Sequence, residues 1–187
     1  MTQPTAIGPQ VPRLVGERVL LRAPHPGDAE ARLQLGRSDE ILSAYGLRAA
    51  DLAPLDGAGA ADWLLEQIKA GAWMIEVQGQ MIGTVRLHSH MAWDRRAQLA
   101  IGLLDPAKLG RGYGSDALRL VISHAFGEMG LQRLSLRVLA DNVPALRCYK
   151  RLGFVEEGRE RQSARCWDGW RDDILMGLLA TECEVSK

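Results

Sequence analysis

The run Gln98-Leu99-Ala100-Ile101-Gly102-Leu103-Leu104 is followed by Asp105-Pro106 and, after three intervening residues, by Gly110-Arg111-Gly112-Tyr113-Gly114-Ser115. The run reads as a strand, and Pro106 cannot continue its ladder. Beyond the glycines, residues 115 to 129 place Leu118, Val121, Ile122, Ala125 and Met129 on one helical face. Ser115, Asp116, Arg119, Ser123 and Gly127 fall on the opposite face. Gly130 supplies a helix stop, and Leu134-Ser135-Leu136-Arg137-Val138 alternates as a half-buried strand does. A strand, a helix and a second strand in this order predict a parallel pair, because a connection of that length that contains a helix can cross over the sheet. Asp141-Asn142-Val143-Pro144 then starts another helix, with an Asx residue near the cap, which runs to Leu152 and stops at Gly153. Phe154 opens a further strand, and Asp172 to Leu179 forms the last one after a loop.

Upstream, Arg18 to Arg22 is a short β-type run. Pro26-Gly27-Asp28 breaks it, and Asp28 is positioned to cap a helix carrying Ala29, Leu33 and Leu35. A second short helix starts at Ser38-Asp39-Glu40, and Pro54 with Gly57 and Gly59 marks a loop. Ala61 to Ala70 reads as helix. Trp73 to Val77, a turn at Gly79-Gln80, and Met81 to Leu87 read as a hairpin, and a polar loop follows around Asp94-Arg95-Arg96. The short connections imply antiparallel pairing. The expected fold is therefore a single-domain α/β protein with a mixed, mostly antiparallel sheet, a central parallel pair and flanking helices. Its expected bounds are 15–181, between a flexible proline-containing lead-in (1–14) and a tail (182–187).

Composition narrows the function classes. The 187 residues are 47% hydrophobic and 25% charged, with 23 basic and 23 acidic side chains and no net charge. Nothing in that balance points to a nucleic-acid partner. The N-terminus lacks a basic and apolar leader, and no apolar run approaches the roughly 20 residues needed to cross a bilayer. Cys148, Cys166 and Cys183 have no metal-ligand or redox-motif spacing. The expectation is a soluble, cytoplasmic, metal-free protein with no membrane association.

The glycine-rich turn carries the chemistry. A helix start exposes N–H groups without intrahelical partners and the positive end of the dipole. Glycines let that backbone approach a ligand closely, so such a turn is a phosphate site. Two nucleotide templates fail. A P-loop needs Gly-Lys-Ser/Thr, and Gly114-Ser115 has no lysine. A dinucleotide fold needs its third glycine one place later and opens its domain, whereas about 100 residues precede this turn.

The segment from Gln98 to Phe154 resembles the GNAT superfamily of N-acetyltransferases. Leu103-Leu104-Asp105-Pro106 followed by Leu109-Gly110-Arg111-Gly112-Tyr113-Gly114 is similar to the family's Q/R-x-x-G-x-G/A turn. Asn142-Val143-Pro144-Ala145 and Tyr149-Lys150-Arg151-Leu152-Gly153-Phe154 are similar to its N-x-x-A…Y-x-x-x-G-F helix. Leu20-Leu21-Arg22-Ala23-Pro24 through Asp28, and Phe154 to Gly158, resemble the RimJ/RimL-type branch, which acetylates protein N-termini. The chain departs from the pattern at Leu109, where relatives have Gln, Arg or Trp, and at Gln98, where many have Glu.

The resemblance implies transfer of acetyl from acetyl-CoA, without a metal, to a primary amine: a peptide N-terminus or a small molecule. It assigns the pyrophosphate to Leu109, Gly110, Arg111, Gly112, Gly114 and Ser115, and the pantetheine arm to Gly102, Leu103, Leu104 and Asn142. It also implies that Tyr149 touches the coenzyme and protonates its departing thiolate. Gln98 cannot serve as a base, which leaves His90 or its neighbour His88, two residues apart on a strand, or a water chain. Cys148 has no evident base to make it a nucleophile. Trp93, Trp167 and Trp170 fall in expected loops, where they form an acceptor pocket or cover the core. The mixed charges of Arg161, Arg165, Arg171, Asp168 and Asp172 select no acceptor. A homodimer is compatible with this reading. The competing readings are an acyl-CoA-binding module that has lost its base and, less in keeping with the glycine spacing, a nucleotide-binding oxidoreductase.

Overall fold

Residues 11–183 are described by a computed structural model. The expected lead-in up to residue 10 and the tail from 184 lie outside the described residues. Eight strands form one mixed sheet: β1 (Leu14–Val15), β2 (Leu20–Arg22), β3 (Trp73–Val77), β4 (Gln80–Met91), β5 (Arg96–Leu103), β6 (Arg133–Leu139), β7 (Val155–Cys166) and β8 (Gly169–Leu179). Their order across the sheet is β1-β2-β3-β4-β5-β6-β8-β7. The β5–β6 pair is parallel, with Arg96 opposite Arg133 and Gln98 opposite Ser135, as the strand–helix–strand order predicts. The helices are α1 (Gly27–Leu35), α2 (Asp39–Ser43), α3 (Gly57–Lys69), α4 (Tyr113–Gly127) and α5 (Val143–Arg151).

The chain gathers into two compact units, neither of them a continuous segment. One comprises residues up to 38, 53–87 and 101–120; the other comprises 39–52, 88–100 and 121 onward. In the first unit, Leu21, Met74, Ile75, Ile82 and Val85 are fully buried along β2, β3 and β4. The Trp73 indole donates to the Pro12 carbonyl at 2.8 Å, and Leu14 pairs with Leu21, so the chain is already engaged before residue 15. In the second, Leu134, Met176 and Leu178 are buried along β6 and β8. Each such side chain contributes roughly 1.5–3 kcal/mol.

Several element expectations need correction. Asp28 is not the cap of α1, because Pro26 occupies that position. The Asp28 carboxylate instead accepts from the backbone of His25 at 2.8 Å and from both Nη atoms of Arg22 at 2.8 and 2.9 Å. Arg22 also reaches Glu76 on β3 at 2.6 Å, which ties β2, β3 and α1 together. Gly57 and Gly59 belong to α3, not to a loop, because Asp56 caps that helix by accepting from Gly59 at 2.8 Å. Helix α4 starts at Tyr113, two residues earlier than expected, and Met129 lies beyond its end and exposed, off the apolar face. The loop expected before the last strand is a two-residue turn, Trp167-Asp168, between two long strands, so Trp170 belongs to β8 and not to a loop.

Candidate active site

In the first unit the chain leaves β5 through Leu104, whose N–H donates to Ile82 at 2.8 Å and so keeps the strand end against β4. The two backbones approach closely there. A Cβ on Gly83 would lie 2.4 Å from the Gly102 carbonyl oxygen. Asp105 then caps a single 3-10 turn, Pro106–Lys108, by accepting from Ala107 at 2.9 Å. Leu109 is extended, and Gly110 and Gly112 both take left-handed conformations, with φ of 69° and 85°. This alternation delivers the chain into the first turn of α4, where Gly114 and Ser115 lie.

Arg18 braces that turn. Its Nε donates to Asp116 at 2.7 Å, its Nη1 donates to the Arg111 carbonyl at 3.1 Å, and its guanidinium lies 5.6 Å from the centre of the Tyr113 ring. Holding the Arg111 carbonyl fixes the plane of the peptide that carries the Gly112 N–H. Sequence reading misses this role, because Arg18 and Asp116 are 98 residues apart and share no local pattern. Arg18 at 2.6 Å and Arg119 at 3.1 Å together offset the Asp116 carboxylate, which otherwise would oppose an anion at the helix start.

In the second unit Asn142 caps α5, accepting from Ala145 at 3.2 Å, and its amide nitrogen donates to Ala44 just after α2 at 3.3 Å. Tyr149, on α5, is buried, with its ring edge-on to Phe154 at a centroid separation of 6.0 Å. Burial raises its pKa well above that of an ordinary tyrosine, and the Tyr45 phenol and Cys148 thiol add to the shift. The proton therefore stays on Tyr149 throughout the neutral range.

The second unit also holds the base candidates. Strand β4 runs on to Met91. Ser89 has φ of 50°, so the simple alternation that would put His88 and His90 on one side is broken. His88 is half-buried, with Nδ1 3.1 Å from the Ser89 hydroxyl, whereas His90 is exposed near the hairpin loop. Gln98 is exposed on β5. Trp93 in the β4–β5 loop is 97% exposed, so it covers no core. The Trp167 ring lies 4.4 Å from the Arg48 guanidinium, and its backbone N–H donates to Gly46 at 2.9 Å. Among the described residues no group of three or more His, Cys, Asp or Glu side chains could hold a metal ion, and no helix is long and apolar enough to cross a membrane.

A strand ending at a glycine-rich turn that opens a long helix, in a mixed sheet with one parallel pair, is the layout of an acyl-CoA-dependent transferase. Residues 18–155 match the acetyltransferase (GNAT) domain family, and the chain belongs to it. It is 28% identical to "Uncharacterized N-acetyltransferase YoaA" of Bacillus subtilis over 158 residues, 81% of this chain and 87% of that protein. It is also 28% identical to "Putative ribosomal N-acetyltransferase YdaF" of the same organism, over 66% of this chain and 65% of that one. A structure of spermidine N-acetyltransferase from Vibrio cholerae in complex with CoA and spermine has the same fold, with a TM-score of 0.73 and 22% identity over 89% of this chain and 98% of that one. The protein is thus an acetyl-CoA-dependent acyltransferase of the N-acetyltransferase type, acting on an amine.

Proposed function

We propose that the acceptor is an α-amine of the peptide N-terminal kind, in keeping with the RimJ/RimL-type branch, and that the reaction proceeds in a cytoplasmic, reducing setting. The single observation that carries this is Gln98, an exposed neutral amide at the position where the resemblance to the family implies a carboxylate. An enzyme without that base favours an amine that is already neutral. An α-amine of pKa near 7.7–8.0 is neutral in about one molecule in eight at pH 7, whereas an alkylamine near 10.4 is roughly 300-fold less so. The likeness to YdaF supports the same reading. Cys148, Cys166 and Cys183 form no disulfide with one another, which suits a reducing compartment.

In this reading the turn from Leu109 to Ser115, with Gly110, Arg111, Gly112 and Gly114, cradles the pyrophosphate through backbone N–H groups. The fit rests on the two left-handed glycines and on the Arg18 brace. The backbone of Gly102, Leu103 and Leu104 meets the pantetheine amides as an added strand would. Asn142 holds the start of α5, the helix that carries Tyr149, and the segment after α2. The amine nitrogen attacks the thioester carbon, the C–N bond forms, and the C–S bond breaks. The Tyr149 hydroxyl gives its proton to the departing sulfur and is reprotonated from solvent, and the proton lost by the amine passes to solvent through the His90 imidazole.

Thiol release from acetyl-CoA tests the reading with an N-terminally free peptide and with spermidine at pH 7. The peptide is expected to turn over faster, and equal rates would sink the α-amine assignment. Tyr149→Phe is expected to lower kcat by roughly 10²- to 10⁴-fold, with CoA affinity within about twofold of the parent by calorimetry. Unchanged turnover would remove Tyr149 as the acid.

A further inference from the structure

Among the described residues the buried charged side chains are Asp28, Arg32 and Asp173. Asp28 is held by Arg22, and Asp173 by Arg137 at 3.3 Å and the Ser163 hydroxyl at 2.9 Å. Arg32 has no acidic partner among the described residues. It sits on α1 with 9% of its surface exposed, and its Nη1 donates to the Gly36 carbonyl. Its guanidinium lies 5.7 Å from the centre of the Trp63 ring on α3. Its Nε is buried and has no hydrogen-bond partner. The neighbouring charge that acts on it is another cation, Arg37, whose own Nη1 donates to the Ala53 carbonyl. Burial and that like charge both lower the Arg32 pKa.

A buried guanidinium with no carboxylate partner is an unfavourable arrangement for the empty protein. An arginine cannot escape by losing its proton, so the buried charge persists. A planar fork with an unused N–H matches one ligand chemistry well: a carboxylate, which accepts two parallel N–H bonds. The neighbourhood also suits this role. Trp63, which flanks Arg32, and Leu104, just past the end of β5, pack against the same cluster of Ala72, Met74 and Met81.

We infer that Arg32 and Arg37 bind a carboxylate carried by the amine acceptor. The acceptor is then an α-amine bearing an acidic group nearby, such as a peptide with an acidic second residue or a free amino acid. A polyamine, which is cationic throughout, is repelled. The acceptor part of this inference rests on the α-amine reading above, whereas the carboxylate site itself does not.

Two measurements on the full-length protein separate the two claims. In the first, succinate is titrated by calorimetry without acetyl-CoA, at ionic strength held constant with sodium chloride. Saturable binding is expected, at least tenfold weaker in Arg32→Met and in Arg37→Met. Arg32→Lys, which keeps the charge but loses the fork, is expected to be weakened as well, and it carries the test if Arg32→Met does not fold. Absence of saturable binding in the parent, or equal binding in the variants, overturns the site. In the second, thiol release is compared for Ala-Glu-amide and Ala-Gln-amide. The parent is expected to favour the Glu peptide at least tenfold in kcat/KM, and the ratio is expected to fall to about one in Arg32→Met. A ratio near one in the parent overturns the acceptor claim. Arginine-dependent succinate binding with no acetylation of either peptide would keep the site and reject the α-amine reading.

Discussion

Gly112 and Gly114 are two residues apart in one turn, yet a methyl group would affect them differently. At Gly112 the backbone has φ of 85°, and a Cβ would lie 2.8 Å from Arg18 Nη2. Gly114 lies within α4, and a Cβ there would meet nothing closer than the Ile101 side chain at 3.9 Å. Gly112→Ala is therefore expected to cost roughly 1–3 kcal/mol through strain and the displaced brace, and to weaken CoA binding. Gly114→Ala, which replaces glycine by the best helix former inside a helix, is expected to keep or slightly raise stability. Thermal unfolding and CoA titration of both variants check this, and equal losses would contradict it. The sequence motif treats these glycines alike because it fixes their spacing but not their φ angles. The same limit hides Arg18 and Arg32, since partnership and its absence both depend on residues far along the chain. The place of Asn142 at the head of α5 is legible, because an Asx residue before proline is a local signal. Its second bond, to the Ala44 carbonyl, crosses 98 residues and leaves no such signal.

At the scale of elements, the amphipathic and alternating segments are readable. Helix α4, strand β6 and helix α5 occur within two residues of where periodicity places them, because local pattern and tertiary burial agree there. Disagreement arises where a polar side chain takes a distant partner over a local one. Asp28 is the clearest case: its position before an apolar run suggests a cap, but Arg22 on β2 offers a charged fork and a buried site. That ion pair joins α1 to β2, and Glu76 extends it to β3. Asp28→Ala is expected to destabilise the fold by about 3 kcal/mol, the lower end for breaking a buried pair, because Arg22 retains Glu76. Urea denaturation measures the difference, and a loss under about 1 kcal/mol would show that the pair contributes little. The long β7–β8 hairpin is also hidden from sequence, since the polar residues of β7 are mostly exposed and carry no hydrophobic alternation for a reader to follow.

For the whole molecule, titration sets the limits of stability. Burial raises the pKa of Tyr149. Below about pH 10 that phenol is protonated in the folded and the unfolded chain, so it does not affect the balance. Above that pH the unfolded chain releases the proton while the folded one keeps it, and stability falls as pH rises. The urea midpoint is expected to hold steady up to about pH 9 and to decline beyond about pH 10, less steeply in Tyr149→Phe. An identical decline in the variant would show that Tyr149 ionises as easily folded as unfolded. On the acid side, Arg133 lowers the pKa of Glu157, so the contribution of that pair is present above the ordinary glutamate range and fades as pH falls through the lowered value. The Arg18 brace adds a constraint of time. Arg18 leaves the ribosome 98 residues before Asp116, which at roughly 5–20 residues per second is a wait of about 5–20 seconds. Until then the glycine-rich turn has no brace, and a nascent chain stalled short of residue 116 has no completed cradle.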